Sequence, residues 1–339
     1  MDTTTLIATA QAMVAPGKGV LAADESSPTI TKRFSALGIE STADNRRDYR
    51  ELLLTSSALP DTVGGVILYD ETLRQSTAGG TPFPELLTGL GVIPGIKVDT
   101  GAKPLAACPG ETVTEGLDGL RERLTEYRAL GAGFAKWRAV IAIGEDLPSA
   151  TCLEANAHAL ARYAALCQEA GIVPIVEPEV LMEGTHTIER CFEVTRTALQ
   201  TVFAQLALQR VVLEGIVLKP SMVVPGAQSP NRVSVEAVAE ATLRCLTETV
   251  PAEVPGVAFL SGGQTPEVAT AHLNAMNAMG NAPWRLTYSF GRALQDPALK
   301  AWGGKPSNAE AVQLALNHRL ALTSAASQGT YTTEMETAA

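Results

Sequence analysis

The sequence lacks the features that mark several common classes of protein. Its five cysteines include no C-x-x-C pair and its four histidines are isolated, so neither a dithiol motif nor a metal site is expected. No stretch approaches membrane-spanning length, and the first residues carry no basic region followed by an apolar core. We therefore expect a cytoplasmic protein with reduced cysteines and no metal or other cofactor.

Basic residues are outnumbered by acidic ones. The chain has 26 Lys and Arg against 36 Asp and Glu, a formal net charge of −10, and no run of basic residues stands out. This balance argues against nucleic acid or an anionic membrane surface as a partner. With 339 residues, of which 46% are hydrophobic, the chain is long enough for a large core.

What the sequence does contain is a repeated pattern of strand, loop and helix. Eight apolar runs predict strands buried on both faces, at residues 19–25, 63–69, 92–99, 134–141, 172–179, 215–218, 257–261 and 286–290. Amphipathic segments between them predict helices, with an extra helix within residues 41–60. The pattern predicts one (β/α)8 barrel over residues 1–329, followed by a short flexible tail over residues 330–339. The alternative is a doubly wound open sheet, but its usual Gly-x-Gly-x-x-Gly turn is absent.

One strand ends in a lysine. Pro220 favours extended geometry in the residue before it, so Lys219 is predicted at the C-terminal end of the sixth strand. The side chain of a lysine at such a position either extends to water or keeps its amine away from water, where the amine can take part in a reaction. The residues that end the other strands favour the second interpretation.

The C-terminal ends of barrel strands form one ring, which is where barrel active sites lie. This ring is predicted to hold Asp24, Lys97, Lys136 with Arg138, Glu177 with Glu179, Lys219, Ser261 and Arg292. Charged residues next to buried strands are unfavourable unless they are paired or functional. So many of them at the strand ends favour an active site.

Strand order predicts that Glu177 lies between Lys136 and Lys219. Burial and the charge of Lys136 favour the neutral amine of Lys219, which can attack a ketone carbon to give a carbinolamine and then an iminium. Loss of water from the carbinolamine needs a proton donor, which Glu177 can be if burial or a negative neighbour raises its pKa. Glu179 is either that neighbour or the partner of a lysine, and the sequence leaves both open.

Glycines directly follow the last two strands, in Ser261-Gly-Gly-Gln264 and Ser289-Phe-Gly-Arg292. Loops at these places in barrels often bind phosphate through free backbone N–H groups, and Arg292 adds a bidentate donor. The glycines of either loop alone could simply make tight turns. Arg292 makes a phosphate site the better interpretation.

Eight segments, taken in order from about Gly19 to Tyr331, resemble class I fructose-bisphosphate aldolases. The segments are Leu21–Ser26, Gly64–Leu68, Gly95–Asp99, Phe134–Arg138, Val176–Glu179, Leu218–Pro220, Leu260–Gln264 and Gly291–Leu294. The resemblance implies reversible cleavage of fructose 1,6-bisphosphate to dihydroxyacetone phosphate and glyceraldehyde 3-phosphate, in glycolysis and gluconeogenesis. It also implies a lysine Schiff base, no metal, and a homotetramer.

The same resemblance implies roles for individual residues. Lys219 matches the Schiff-base lysine, Glu177 the acid/base of the carbinolamine, Asp24 the acceptor of the C4 hydroxyl proton, and Lys136 their electrostatic support. Glu179 is kept with these catalytic candidates. One phosphate pocket is implied at Ser261, Gly262, Gly291 and Arg292, and other substrate contacts at Ser26, Thr29, Arg33, Lys97 and Arg138. Thr29 stands where the family usually has serine.

The resemblance is weakest at the C-terminus. The family uses a terminal tyrosine for proton exchange on the enamine, whereas the last tyrosine here is Tyr331. That step is expected to fall to a barrel residue, to water or to Tyr331, with residues 332–339 dispensable. Two alternative functions are a barrel isomerase or lyase for another sugar phosphate, which would not need Lys219, and a non-enzymatic binder. A binder is expected to have lost Lys219, Glu177 or Asp24, and none is lost.

Overall fold

Eight parallel strands close into a barrel in the computed structural model, which describes residues 2–337. The order around the barrel is β1 (Gly19–Ala23), β2 (Val63–Leu68), β3 (Ile93–Lys97), β6 (Phe134–Ile141), β7 (Val173–Val180), β8 (Val217–Leu218), β9 (Gly256–Phe259) and β10 (Arg285–Phe290), which returns to β1. The predicted (β/α)8 barrel is confirmed. Near-continuous burial along these strands explains why each was an apolar run in the sequence.

Helices surround the barrel. They are α1 (Thr3–Met13), α2 (Ser27–Ser35), α3 (Ala43–Leu54), α4 (Leu59–Thr62), α5 (Asp70–Leu73), α6 (Phe83–Gly89), α7 (Leu120–Ala129), α8 (Ala150–Glu169), α9 (Ile188–Leu208), α10 (Val235–Thr249), α11 (Pro266–Met279), α12 (Arg292–Trp302) and α13 (Ala309–Ala326). Short 3-10 helices lie at Leu213–Gly215, Pro306–Asn308 and Thr333–Glu336. The extra helix expected within residues 41–60 is α3, followed by the start of α4.

Helix α1, which the sequence analysis did not predict, closes the N-terminal end of the barrel. Its residues Leu6, Ala10 and Met13 pack with Val20 and Phe134 in a core inside the barrel. The C-terminus of α1 approaches β2 so closely that a Cβ on Gly64 would lie 2.4 Å from the Met13 carbonyl oxygen. A glycine is therefore required there. With one end filled by apolar residues, only the C-terminal end of the barrel is left to hold polar groups.

A hairpin of β4 (Gly101–Pro104) and β5 (Thr112–Glu115) follows β3 and was also not predicted. It packs beside β6, where Thr114 Oγ1 donates a hydrogen bond to the Arg138 carbonyl oxygen at 2.7 Å. The hairpin thus extends the wall of the barrel next to the predicted site.

The C-terminal segment packs on the outside of the barrel. Tyr331 is buried, its backbone N–H donates to Asn274 of α11, and its hydroxyl donates to Glu336 at 2.9 Å. Glu336 also pairs with the buried Arg319 of α13 at 2.5 Å. Residues 338 and 339 of the predicted tail lie outside the described residues. Across residues 2–337, no helix combines the length and the apolar character needed to cross a membrane.

Candidate active site

Lys219 lies where β8 ends. Its backbone N–H donates to the Val176 carbonyl oxygen of β7 at 2.8 Å, which continues the β-ladder by one residue. Pro220 has no N–H and cannot extend that ladder. The Lys219 side chain is only 4% exposed, so its amine is held inside the barrel mouth and does not extend to water.

Four charged side chains form a chain across the mouth of the barrel. Lys219 Nζ lies 3.1 Å from Glu177 Oε1, and Glu177 Oε2 lies 3.3 Å from Lys136 Nζ. Lys136 Nζ lies 2.8 Å from Asp24 Oδ2. Asp24 directly follows β1, on the far side of the barrel from Lys136. Glu177 therefore sits between the two lysines, as strand order predicted. We call these four residues the central cluster.

Opposing effects set the charge states in the central cluster. Burial raises the pKa of Glu177, but the charges of Lys136 and Lys219 outweigh it and leave that pKa below its ordinary value. In the same way, Lys136 and Lys219 outweigh burial and lower the pKa of Asp24 to about 2. Burial lowers the pKa of Lys136, but Asp24 and Glu177 more than compensate and raise it. The condition named for Glu177 as a proton donor, a raised pKa, is thus not met in the free protein, where the lowered pKa values favour the ionised form of both carboxylates.

Three further predicted site residues, Arg138, Glu179 and Lys97, form pairs that the sequence did not suggest. The Glu179 carboxylate pairs with the Arg138 guanidinium and not with a lysine, which was one of the two alternatives left open for Glu179. Lys97 Nζ donates to Asp99 Oδ1 at 2.5 Å and to the Asp99 carbonyl oxygen at 2.8 Å. These residues lie on β6, β7 and β3 or, for Asp99, just after β3, at the same end of the barrel as the central cluster.

The loops after β9 and β10 meet at one side of the mouth. Gly262 and Gly263 have φ of +58° and +88°, and a Cβ on Gly263 would lie 3.6 Å from Arg292 Nη2. Arg292 is the first residue of α12, with Gly291 as its N-cap. Arg292 is exposed, and within residues 2–337 its guanidinium has no ion pair or hydrogen bond to the protein. An unpaired guanidinium beside glycine backbone N–H groups and a helix N-terminus is an arrangement that can bind an anion, and we call these two loops the anion site.

Arg33, a predicted substrate contact, is already paired in the protein. Its guanidinium contacts Glu25 through Nη1 and Asp296 Oδ1 through Nη2, the latter at 2.8 Å. Ser26 and Thr29 lie nearby at the start of α2, with their hydroxyl oxygens 3.1 Å apart. This side of the mouth therefore carries both hydroxyl groups and a guanidinium with two carboxylate partners.

Comparison with known proteins identifies the family. A family model described as "Fructose-bisphosphate aldolase class-I" matches residues 5–339. A probable fructose-bisphosphate aldolase class 1 of Xanthomonas axonopodis pv. citri is 63% identical over 88% of this chain and 89% of that protein. A cytosolic fructose-bisphosphate aldolase 4 of Arabidopsis thaliana is 51% identical over 96% of this chain and 83% of that protein. This chain belongs to the class I fructose-bisphosphate aldolase family.

The fold of the family extends over the whole barrel. The structure of fructose-bisphosphate aldolase from Plasmodium falciparum, solved in complex with TRAP and a small-molecule inhibitor, has a TM-score of 0.96 to this chain. Sequence identity to it is 45%, and the match covers 97% of this chain and 95% of that one. The aldolase barrel thus brings together residues from seven of its strands and the loops that follow them.

Sequence reasoning missed the partners of the basic residues in this aldolase site. Asp99 and Glu25 each lie within two residues of a predicted site residue in the sequence, and this proximity could have identified them as partners. Glu25 also accepts a hydrogen bond from Arg50 at 2.7 Å and from Gln295 at 3.0 Å. Asp296 lies in the first turns of α12, 263 residues from Arg33, and no pattern in the sequence connects the two.

Proposed function

We propose that the chain catalyses the reversible cleavage of fructose 1,6-bisphosphate to dihydroxyacetone phosphate and glyceraldehyde 3-phosphate through an imine on Lys219. The observation that carries the proposal is the buried Lys219, whose amine lies 3.1 Å from a buried carboxylate at the end of a barrel strand. Membership of the aldolase family and the anion site beside Arg292 support it. An isomerase or a binder would have no use for this amine.

The Lys219–Glu177 pair supplies both the nucleophile and the proton for imine formation. Transfer of one proton from the Lys219 ammonium to Glu177 Oε1 gives a neutral amine and a protonated acid. The amine adds to the C2 carbonyl to form a carbinolamine. Glu177 then returns its proton to the carbinolamine hydroxyl, which leaves as water and yields the iminium. The low pKa of Glu177 in the free protein is compatible with this role, because the neutral carbinolamine nitrogen removes one of its two cationic neighbours.

Bond cleavage uses the other half of the central cluster. Asp24 accepts the C4 hydroxyl proton, the C3–C4 bond breaks, and its electron pair moves into the iminium to form an enamine. Lys136 lies 2.8 Å from Asp24 and 3.3 Å from Glu177, and its positive charge holds both carboxylates ionised and in place. The aldehyde product leaves first, and the enamine must then be protonated and hydrolysed.

The anion site is proposed to bind one phosphate of the substrate. Ser261, Gly262, Gly291 and Arg292 would donate hydrogen bonds to it, since each lies in the two loops that meet beside the central cluster. The rest of the mouth, with Ser26, Thr29, Arg33, Lys97 and Arg138, would contact the rest of the substrate. Glu179 would act through Arg138, which it pairs with, and not through Glu177.

The cellular setting is inferred from relatives. We propose a cytoplasmic enzyme of glycolysis and gluconeogenesis, because relatives from Arabidopsis thaliana and Pisum sativum are named cytosolic or cytoplasmic isozymes. We also propose a homotetramer, on the family resemblance. Light scattering of the protein as it elutes from a size-exclusion column tests this, with an expected mass close to four times that of the 35.5 kDa subunit.

The imine mechanism is tested by trapping. Borohydride added in the presence of dihydroxyacetone phosphate should attach the ketone carbon irreversibly to Lys219, as located by peptide mass spectrometry. Lys219→Arg serves as the matched control and should gain no mass, since arginine cannot form an imine under these conditions. Activity should also survive exhaustive treatment with EDTA. Loss of activity that zinc restores, or labelling at another lysine, would overturn the proposal.

A further inference from the structure

A buried histidine stands behind the glycine loop that follows β9. His272 lies in the middle of α11, is only 7% exposed, and places Nδ1 2.6 Å from Oε1 of Gln264. It belongs neither to the central cluster nor to the residues proposed to contact substrate. Its only polar partner within residues 2–337 is the last residue of the Ser261-Gly-Gly-Gln264 loop.

Gln264 in turn holds the first residue of that loop. Its side-chain Nε2 donates to the Ser261 carbonyl oxygen at 3.1 Å, and its backbone N–H donates to the same oxygen at 3.0 Å. A carbonyl oxygen can only accept, so the amide group must face it with Nε2, and Oε1 must face His272. His272 Nδ1 is therefore the donor, and the hydrogen bonds run in one direction from His272 through Gln264 to Ser261.

The surroundings of His272 keep it in one protonation state at neutral pH. Burial lowers its pKa to about 4, against a smaller opposing effect of Glu236, the charged group that faces it from the first turn of α10. The ring is thus neutral and carries its proton on Nδ1, where the Gln264 oxygen requires it. Protonation would leave this donor in place, so the contact does not depend on pH in the working range.

We propose that His272 is a positioning residue for phosphate binding: through Gln264 it fixes the backbone of Ser261, Gly262 and Gly263 in the shape that receives the anion. Two successive glycines at φ of +58° and +88° have little conformational preference of their own. A loop that is ordered before binding does not lose that freedom when the ligand arrives. The inference rests on the proposed function, which assigns phosphate to this loop.

The test compares three variants by steady-state cleavage of fructose 1,6-bisphosphate and by competitive inhibition with inorganic phosphate. His272→Leu removes the donor, and Gln264→Met removes the amide at similar volume. Each should raise KM and the phosphate inhibition constant about five- to thirtyfold, with kcat changed less than about threefold. His272→Asn should restore both constants to within about threefold of wild type, because the asparagine amide nitrogen can replace Nδ1 as donor.

Thr270→Val is the matched control for damage to the helix. Thr270 is fully buried in the same helix, but its hydroxyl contacts Arg319 of α13 and not the loop. This variant should lower the thermal unfolding midpoint and leave KM unchanged. The double variant of His272→Leu and Gln264→Met should be no worse than either single one, since both break one chain of hydrogen bonds.

Three outcomes would overturn the inference: wild-type KM in His272→Leu, wild-type KM in Gln264→Met, or no recovery in His272→Asn. Arg292→Ala separates these from failure of the proposed function. If Arg292→Ala loses phosphate affinity while His272→Leu does not, only the role of His272 is wrong. If Arg292→Ala also keeps full phosphate affinity, the loop does not bind phosphate and both proposals fail.

Discussion

The central cluster and the anion site handle positive charge in opposite ways. In the central cluster, Lys136 and Lys219 each have a carboxylate within 3.3 Å. At the anion site, the exposed Arg292 has no carboxylate partner within residues 2–337, and it lies at a helix N-terminus beside the backbone of Gly263. Proton transfer needs acids and bases held at fixed distances, which paired charges provide. Binding of an anion needs donors that the protein itself leaves unsatisfied.

Arg33 falls between these two cases. It is a predicted substrate contact, yet Glu25 and Asp296 already occupy its guanidinium. Glu25 is largely buried, whereas the Asp296 side chain is 42% exposed. Asp296 is therefore the partner that an incoming anion could displace. Whether a basic side chain is paired in the free protein should decide whether its substitution mainly affects the rate of the chemical step, substrate binding or the stability of the fold.

The largest effect is expected from Lys219→Arg. Arginine preserves the positive charge opposite Glu177 but cannot act as an amine nucleophile, so kcat should fall by more than about a thousandfold. Because the charge balance of the central cluster is kept, the circular dichroism spectrum and unfolding midpoint should stay close to wild type. Substantial turnover in this variant would rule out the imine mechanism.

Arg292→Ala should act on binding and leave the chemical step intact. Loss of a charge-assisted contact to phosphate is expected to cost about 2–4 kcal/mol, which raises KM by about 30- to 1,000-fold. Arg285→Ala is the matched control, because that exposed arginine begins the same strand, β10, at the opposite end of the barrel. It should leave KM unchanged. Equal effects of Arg292→Ala on phosphorylated and unphosphorylated substrates would contradict the assignment.

Asp296→Ala should give a smaller effect of the opposite sign. Removing a partly exposed partner frees one arm of the Arg33 guanidinium, so KM for fructose 1,6-bisphosphate should fall by about two- to fivefold. KM for fructose 1-phosphate, which lacks the second phosphate, should not change. The ratio of the two KM values therefore reports whether Arg33 contacts that phosphate. A rise in KM for the bisphosphate would mean that Asp296 instead orients Arg33 for binding.

The sequence predicted the fold and the position of Glu177 for physical reasons. Strands buried on both faces must be apolar throughout, and barrel strands follow one another in space, so the order of strand ends gives the order of side chains. Helix α1 was missed although Leu6, Ala10 and Met13 repeat at helical spacing. The β4–β5 hairpin was missed because only Thr114 among its strand residues is fully buried, which leaves no clear alternation.

Charge partners were predicted less well than positions. In the register of β6 and β7, Arg138 lies opposite Glu177 and Val140 opposite Glu179, so strand order alone favours the wrong partner for Arg138. The observed pair of Arg138 and Glu179 depends on side-chain direction, which the chain order does not contain. The sequence analysis named burial as a possible cause of a raised pKa for Glu177, but the summed charge of two lysines outweighs burial and lowers it. The distances between charged groups are needed to decide the direction of such a pKa shift.

The smallest effect on activity is expected from the C-terminal segment. The sequence analysis predicted that residues 332–339 are dispensable, with Tyr331 as one candidate for protonating the enamine. The Tyr331 hydroxyl is bonded to Glu336 on the outside of the barrel, and burial together with this contact raises its pKa to about 12. Tyr331→Phe should therefore leave both the cleavage rate and the exchange of the C3 proton of dihydroxyacetone phosphate unchanged. A large loss of exchange alone would mean that this segment moves to the active site during turnover.

Truncation after Tyr331 should separate stability from catalysis. It removes Glu336 and leaves the buried Arg319 without its carboxylate partner, which should lower the free energy of unfolding by about 1–3 kcal/mol. Glu336→Gln in the full chain is the matched control and should reproduce much of that loss. At a temperature well below the unfolding transition, cleavage and proton exchange should both stay near wild type, since the protonating group is then a barrel residue or water. If both rates collapse in the truncated protein but not in Glu336→Gln, Glu334 becomes the acid. If they collapse in both, the acid is Glu336, whose carboxyl the glutamine variant lacks.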